Sequence, residues 1–271
     1  MKIILSPAKT LRDQALRLEG LPEHREYFPD ERSQLDQILA NYSEAEMQGI
    51  WKTSDQLSAR SYERWWQARA TGERHPALGL YHGAVYQNLE VESCSPGMLT
   101  YLDEKLRIIS GLYGLLAPST PILPYRLEMA SRFNFELDAN AYSNLYDYWG
   151  SRLADALVDE IEAEKKSGIS EDAFILNLAS NEYAKAVQDQ LQGRLSCINV
   201  YFYVLRKDAS GADKRLNLAT YAKIQRGHLL RHLAAKRVEN RSALENYSDQ
   251  GFVYSPELSG DDEIIYLRDE R

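Results

Sequence analysis

Cysteine is nearly absent from this chain: Cys94 and Cys197 are the two in 271 residues. Their separation fits no metal or redox spacing. They read either as inert, partly buried thiols or as a source of one peroxide-reactive thiol, and no structural disulfide is expected in a cytosolic setting. The sequence also lacks any apolar run of the roughly 18 residues that a membrane span needs. Its opening, Met1-Lys2-Ile3-Ile4-Leu5, meets Ser6-Pro7-Ala8-Lys9 after three apolar residues, too few for a secretory h-region. A cytoplasmic protein without membrane association is expected. Histidine is scarce, and the five are dispersed except for His228 and His232. That spacing could chelate zinc, but no HExxH glutamate and no third ligand accompany it, so neither a metal nor a cofactor is expected. There is no internal repeat, no low-complexity tract, no nucleophile elbow and no readable Ser-His-Asp set.

What is present describes one large folded unit. Hydrophobic residues make up 44% and charged residues 27%, the balance of a globular chain with a sizeable core. A single domain over residues 1–271 is expected. The net charge of −8 argues by itself against a dedicated nucleic-acid binder. That figure conceals a division. Between Thr220 and Arg241, six cations (Lys223, Arg226, Arg231, Lys236, Arg237, Arg241) face only Glu239, whereas the stretch Ser242–Arg271 carries eight acids against two arginines.

Strands and helices alternate. Lys2–Leu5, Arg107–Ser110, Phe174–Leu178, Cys197–Leu205, Phe252–Tyr254 and Ile264–Leu267 have the composition of strands. Glu31–Asn41, Ser43–Trp51, Asp55–Arg69 and Thr220–Asn240 read as helices. So does Leu145 to Ile161, where Leu145, Trp149, Leu153, Leu157 and Ile161 recur every four residues. Val91–Thr100 holds a Ser-Pro-Gly turn, and Gly168–Asp172 reads as a turn between elements. The expected class is α/β (mixed α+β), a mixed sheet covered by helices. In open α/β sheets ligands sit beyond the carboxyl ends of parallel strands. If the strands ending at Leu5, Ser110 and Asn177 are parallel, their polar loops converge on one crevice.

Those loops carry the chemistry. Lys9 follows Pro7 on a short loop whose stiff base displays it either as a phosphate-holding charge or simply as a solvated lysine. The turn Gly111-Leu112-Tyr113-Gly114 lacks both the P-loop and the dinucleotide spacing, so a tight strand-to-helix turn is the better reading. Arg126 and Glu128 point the same way if Pro124–Glu128 is extended, as an anion-binding pair or as a local ion pair. Ser180 can cap a helix carrying Glu182 in its first turn and Lys185 on the same face. On the Thr220 helix, Lys223, Arg226 and Arg237 fall in one wedge roughly 60° wide, a stripe that can track a phosphate backbone or merely face solvent.

Taken in order, SPAKT (Ser6–Thr10), GAVY (Gly83–Tyr86), SGLYGLLAP (Ser110–Pro118), PYRLEM (Pro124–Met129), LYDYWG (Leu145–Gly150), NLASNEYAKAV (Asn177–Val187) and YAKIQRG (Tyr221–Gly227) resemble the bacterial YaaA family over nearly the whole chain. The resemblance implies a peroxide-stress role that limits iron-driven damage, a family-specific fold with a helix-hairpin-helix-like element and a positively charged cleft, and binding to duplex or branched DNA. Carried over, Lys9, Arg126, Lys185, Lys223, Arg226 and, from the basic stripe, Arg237 are the expected DNA- or anion-binding cations. Ser6, Asn177, Ser180, Glu128 and Glu182 are their polar partners, and Ser54–Trp65 is the hairpin candidate. Ala84 stands where the family has GDVY, Thr120 replaces an Asp, Ile224-Gln225 replaces Lys-Ala, and Ser58-Ala59-Arg60 follows Leu57 without a glycine. Two functions follow. One is sequence-nonspecific DNA binding. The other is an enzyme acting on a small anionic or nucleotide-like substrate, with Lys9, Glu128, Glu182 and Lys185 as catalytic candidates.

Overall fold

A computed structural model describes residues 1–168 and 173–271; most of the turn expected at Gly168–Asp172 lies outside them. A nine-stranded mixed sheet forms the centre. In chain order its strands are β1 (Lys2–Leu5), β2 (Leu106–Ser110), β3 (Gly114–Leu116), β4 (Phe174–Asn177), β5 (Ser196–Lys207), β6 (Asp213–Leu216), β7 (Ser248–Asp249), β8 (Phe252–Tyr254) and β9 (Glu263–Asp269). The order across the sheet is β7-β8-β9-β5-β4-β1-β2-β3, with β6 paired to the far end of β5. The middle, β2-β1-β4-β5-β9, is parallel throughout, and the remaining pairings are antiparallel. Every residue of β1, β2 and β4 is buried, as strands covered on both faces must be. This explains the short apolar runs Ile3–Leu5, Ile108–Ile109 and Phe174–Leu176 within them.

The helices assemble around that sheet by local rules. Ser43 and Glu46 close a capping box on Glu44–Trp51. Lys52 then adopts a left-handed conformation, and Asp55–Thr71 follows after Ser54. Ser54–Trp65 is therefore the N-cap and first turns of one helix, not a hairpin. The helical hairpin is the pair Glu44–Trp51 and Asp55–Thr71, turning at Lys52–Ser54, and the two helices pack on each other. The Ser-Pro-Gly turn is likewise a helix start: Ser95 caps Pro96–Lys105 by accepting from Met98 N–H, with Pro96 in the first turn. The Leu145–Ile161 periodicity is real but divided. One helix covers Leu145–Trp149, Gly150 breaks it at φ 51°, and Arg152–Lys166 resumes with Leu153, Leu157 and Ile161 buried. Gly111–Gly114 closes a strand-to-strand hairpin between β2 and β3, not a strand-to-helix turn.

Gly227 explains how the basic helix is held. Ala219–Lys236 packs against Ala84–Leu89 so closely that a Cβ on Gly227 would lie 2.4 Å from the Val85 carbonyl oxygen and 2.8 Å from Asn88 Cβ. The first obstacle is backbone and cannot swing aside. Gly227→Val is expected to lower the unfolding free energy by about 1–3 kcal/mol, the usual cost of overpacking. A urea midpoint unchanged from wild type would show that the two helices can separate freely.

Candidate functional site

The parallel centre fulfils the geometric condition for a crevice. The loops after β1 and β4 are stitched together by serine: Ser180 N–H donates to Ser6 Oγ at 2.8 Å, and the two hydroxyls are 3.2 Å apart. Ser180 occupies the N-cap of Asn181–Leu191, but its hydroxyl serves this latch and makes no helix cap. Tyr86 donates to the Ser6 carbonyl at 2.8 Å, fixing the same loop from the Gly83–Tyr86 side. At the end of β2, Ser110 Oγ lies 2.6 Å from the Tyr125 hydroxyl, which lies 2.7 Å from that of Tyr81. This buried chain anchors Tyr125 directly beside Arg126. Burial pushes the Tyr125 hydroxyl up to about 12, so it is a neutral partner here.

Lys9 is the hub of what these loops display. Its Nζ is 2.6 Å from Glu128 Oε2, and Arg126 Nη2 donates to Glu128 Oε1 at 3.0 Å. The expected Arg126–Glu128 pairing is present, with Lys9 as a third member. Lys9 is 62% exposed, so its ion pair is a weak tie that an arriving anion can displace. Glu182 lies near by, accepting from Ala130 N–H at 3.1 Å.

Two depressions meet at Lys9 and Thr10. The first, about 450 Å³, is the crevice at the strand ends, walled by Pro7, Val85, Tyr86, Leu178 and Tyr183, with Lys223 and Arg226 reaching in. The second, about 420 Å³, runs between Arg126 and the exposed side of the Asp55–Thr71 helix, which presents Leu57, Arg60, Ser61 and Arg64. A third, about 710 Å³, continues past Arg64 to Arg17 and Arg74. The groove carries more cations than carboxylates. Among the described residues neither Lys223 nor Arg226 forms an ion pair, and Arg226 Nε and Arg126 Nε are buried without a hydrogen-bond acceptor. Burial pushes the Arg226 guanidinium below its ordinary value, with Tyr201 offsetting part of that. Arg60 and Arg64 share the single carboxylate of Asp13.

The other expected residues sit elsewhere or are already engaged. Lys185 lies over the Tyr146 ring, 5.3 Å from its centroid, and does not line the crevice. Asn177 is consumed by the turn, donating to Asn199 Oδ1 and accepting from Ala179 N–H, both at 2.8 Å. Arg237 is not in the groove: it donates to the Gly97 carbonyl and pairs with Glu104, whose own carbonyl receives Lys2 at the amino end of β1. The wedge of Lys223, Arg226 and Arg237 exists on a helical wheel but spans opposite ends of the fold. Arg60, Arg64 and Leu57 were not singled out as site residues; their i, i+3, i+7 spacing is the signal that would have placed them on one face.

The thiols and histidines are occupied by packing. Burial raises both thiols, Cys197 to about 11, which disfavours the thiolate that would react with peroxide. His228 pairs with Asp249 at 2.6 Å, while His232 packs edge-on to Tyr247. Among the described residues no group of three His, Cys, Asp or Glu side chains is placed to hold a metal, and no helix is long and apolar enough to cross a membrane.

A family profile described as peroxide stress protein YaaA matches residues 1–258. A UPF0246 protein of Lacticaseibacillus paracasei is 32% identical over 270 residues, covering 98% of this chain and 99% of its own. Similar proteins of Lachnoclostridium phytofermentans (31% identical; 100% and 97% covered) and Clostridium beijerinckii (32%; 99% and 98%) carry the same name. The chain belongs to the YaaA family of peroxide stress proteins.

Proposed function

We propose that this protein acts in the cytoplasm during peroxide stress as a sequence-nonspecific DNA-binding protein that shields DNA from iron-driven oxidation. The observation that carries the reading is the cation-rich groove centred on Lys9. Lys223, Arg226, Arg126, Arg60 and Arg64 line it with too few carboxylates, in a chain whose overall charge is −8. A phosphate backbone supplies the missing negative charge, and nothing in the groove demands a particular base sequence. The second helix of the hairpin, Asp55–Thr71, forms one wall.

Binding to duplex or branched DNA, followed by anisotropy at two salt concentrations, tests this. Affinity is expected to fall steeply with salt, and Arg64→Ala to reduce the slope of log K against log salt by about 0.9. An absence of binding at micromolar protein in low salt would overturn the reading. A small anionic substrate is the second reading, favoured by the crevice of about 450 Å³ beside Lys223 and Arg226. The five side chains that a compact catalytic pocket would need are not all in one place: Lys9, Arg126 and Glu128 cluster, Glu182 is adjacent, and Lys185 faces Tyr146.

A further inference from the structure

We infer that the crevice at the strand ends receives a single nucleotide turned out of the DNA duplex, an inference that rests on the DNA-binding reading above. The groove is not uniform. Its middle stretch is cationic, whereas the crevice beyond Lys9 has a mostly apolar surface, with Pro7, Val85, Leu178, Tyr86 and Tyr183 in its walls beside Glu182, Lys223 and Arg226. Apolar and aromatic walls suit the faces of a base, which a continuous duplex resting on phosphates would never offer them. The crevice, about 450 Å³, is within the range of about 300–1,000 Å³ in which small-molecule sites fall. Lys223 and Arg226 stand at it without carboxylate partners, where the phosphate of a displaced nucleotide would lie. Across Lys9, Leu57 is 42% exposed on the groove wall, one of three large apolar side chains so exposed among the described residues. A leucine presented beside two arginines is the kind of wedge that enters a base stack and fills the vacated space.

Extrusion costs least where a base is already unpaired. A duplex with one central mismatch is therefore expected to bind about tenfold tighter than its matched counterpart, with the mismatched thymine becoming reactive to permanganate on binding. Ala84→Phe, which fills the crevice, is expected to bring the two affinities together, and Leu57→Ala to abolish the permanganate reactivity. Far-UV circular dichroism checks that each variant is folded. If matched and mismatched duplexes bind wild type equally and no thymine becomes reactive, the nucleotide inference is overturned while the groove reading stands. If neither duplex binds, both fall.

Discussion

Glu160→Ala is expected to lower the free energy of unfolding by about 3–5 kcal/mol, the cost of leaving a buried charge without its partner. The residue sits in an ionic cluster at the amino ends of β1 and β2, on the side of the sheet opposite the groove. Lys2, Lys105 and Arg107 are 3%, 2% and 3% exposed. Arg107 grips Glu160 through Nε at 2.9 Å and Nη2 at 3.0 Å, and Tyr27 donates to the same carboxylate. Lys2 lies 3.5 Å from Glu160 and 2.7 Å from Glu164, which also holds Lys105 at 3.3 Å. Removing Glu160 leaves Arg107 with the carbonyls of Asp103 and Leu106 and the Tyr27 ring, but with no carboxylate partner among the described residues.

The cluster also fixes the response to acid. Burial pushes the Glu160 and Glu164 carboxyls up, but the neighbouring Arg107, Lys2 and Lys105 outweigh it and hold both below the ordinary carboxylate range. A carboxyl with a depressed folded value stabilises fully above its unfolded value and loses that contribution as pH falls through the folded one. Wild type is therefore expected to lose stability steeply below about pH 4.5, and Arg107→Met/Glu160→Leu much less so. Urea midpoints at several pH values measure both effects. A loss under about 1 kcal/mol for Glu160→Ala at neutral pH would show that water repairs the site.

Trp149→Ala is expected to cost a comparable amount, about 3–5 kcal/mol. The indole is fully buried, packed against Phe28 and Tyr148 at centroid distances of 5.5 and 5.2 Å. Its Nε1–H donates to the Gly111 carbonyl at 3.0 Å. Gly114, at φ 72°, has no side chain because the ring occupies that space: a Cβ would lie 2.7 Å from it. Trp149 thus clamps the β2–β3 hairpin, and with it Ser110 and the hydroxyl chain that seats Tyr125 beside Arg126. Trp149→Phe keeps most of the packing but orphans the carbonyl, for a smaller loss of about 1–3 kcal/mol. Thermal unfolding followed by circular dichroism separates the two. Equal losses would mean that the hydrogen bond, not the ring, does the clamping.

Much of this architecture could be read from the chain, for a physical reason. β1, β2 and β4 are buried on both faces, so their sequences are mostly apolar, with Lys2 and Arg107 near their amino ends held by the ionic cluster, and they end abruptly in polar loops. The convergence of those loops followed once the strands proved parallel. Periodicity failed where a single residue changes the backbone's course: Gly150 interrupts the four-residue repeat from Leu145 without disturbing its apolar pattern. It failed again for Arg237, since a helical wheel records angle but not height along an 18-residue helix. Arg60 and Arg64 stayed unassigned because a basic pair on a helix looks the same whether it faces solvent or a groove. Only the packing of the helical hairpin against the rest of the fold distinguishes the two.

The placement of β1 carries a consequence for how the chain reaches this state. Ile3 pairs with Leu106 on one side and Leu176 on the other, so the first strand is also the keystone of the sheet. Neither partner exists when the first hundred residues leave the ribosome, and the second arrives later still. Long-range parallel pairing of this kind is slow and leaves apolar edges waiting. Local helices such as Glu44–Trp51 and Asp55–Thr71 can form meanwhile, but the loops that shape the groove cannot meet until β4 is made. Assembly of the site therefore waits for β4, and a nascent chain stalled before Asn177 would leave the edge of β1 that receives Leu176 unpaired.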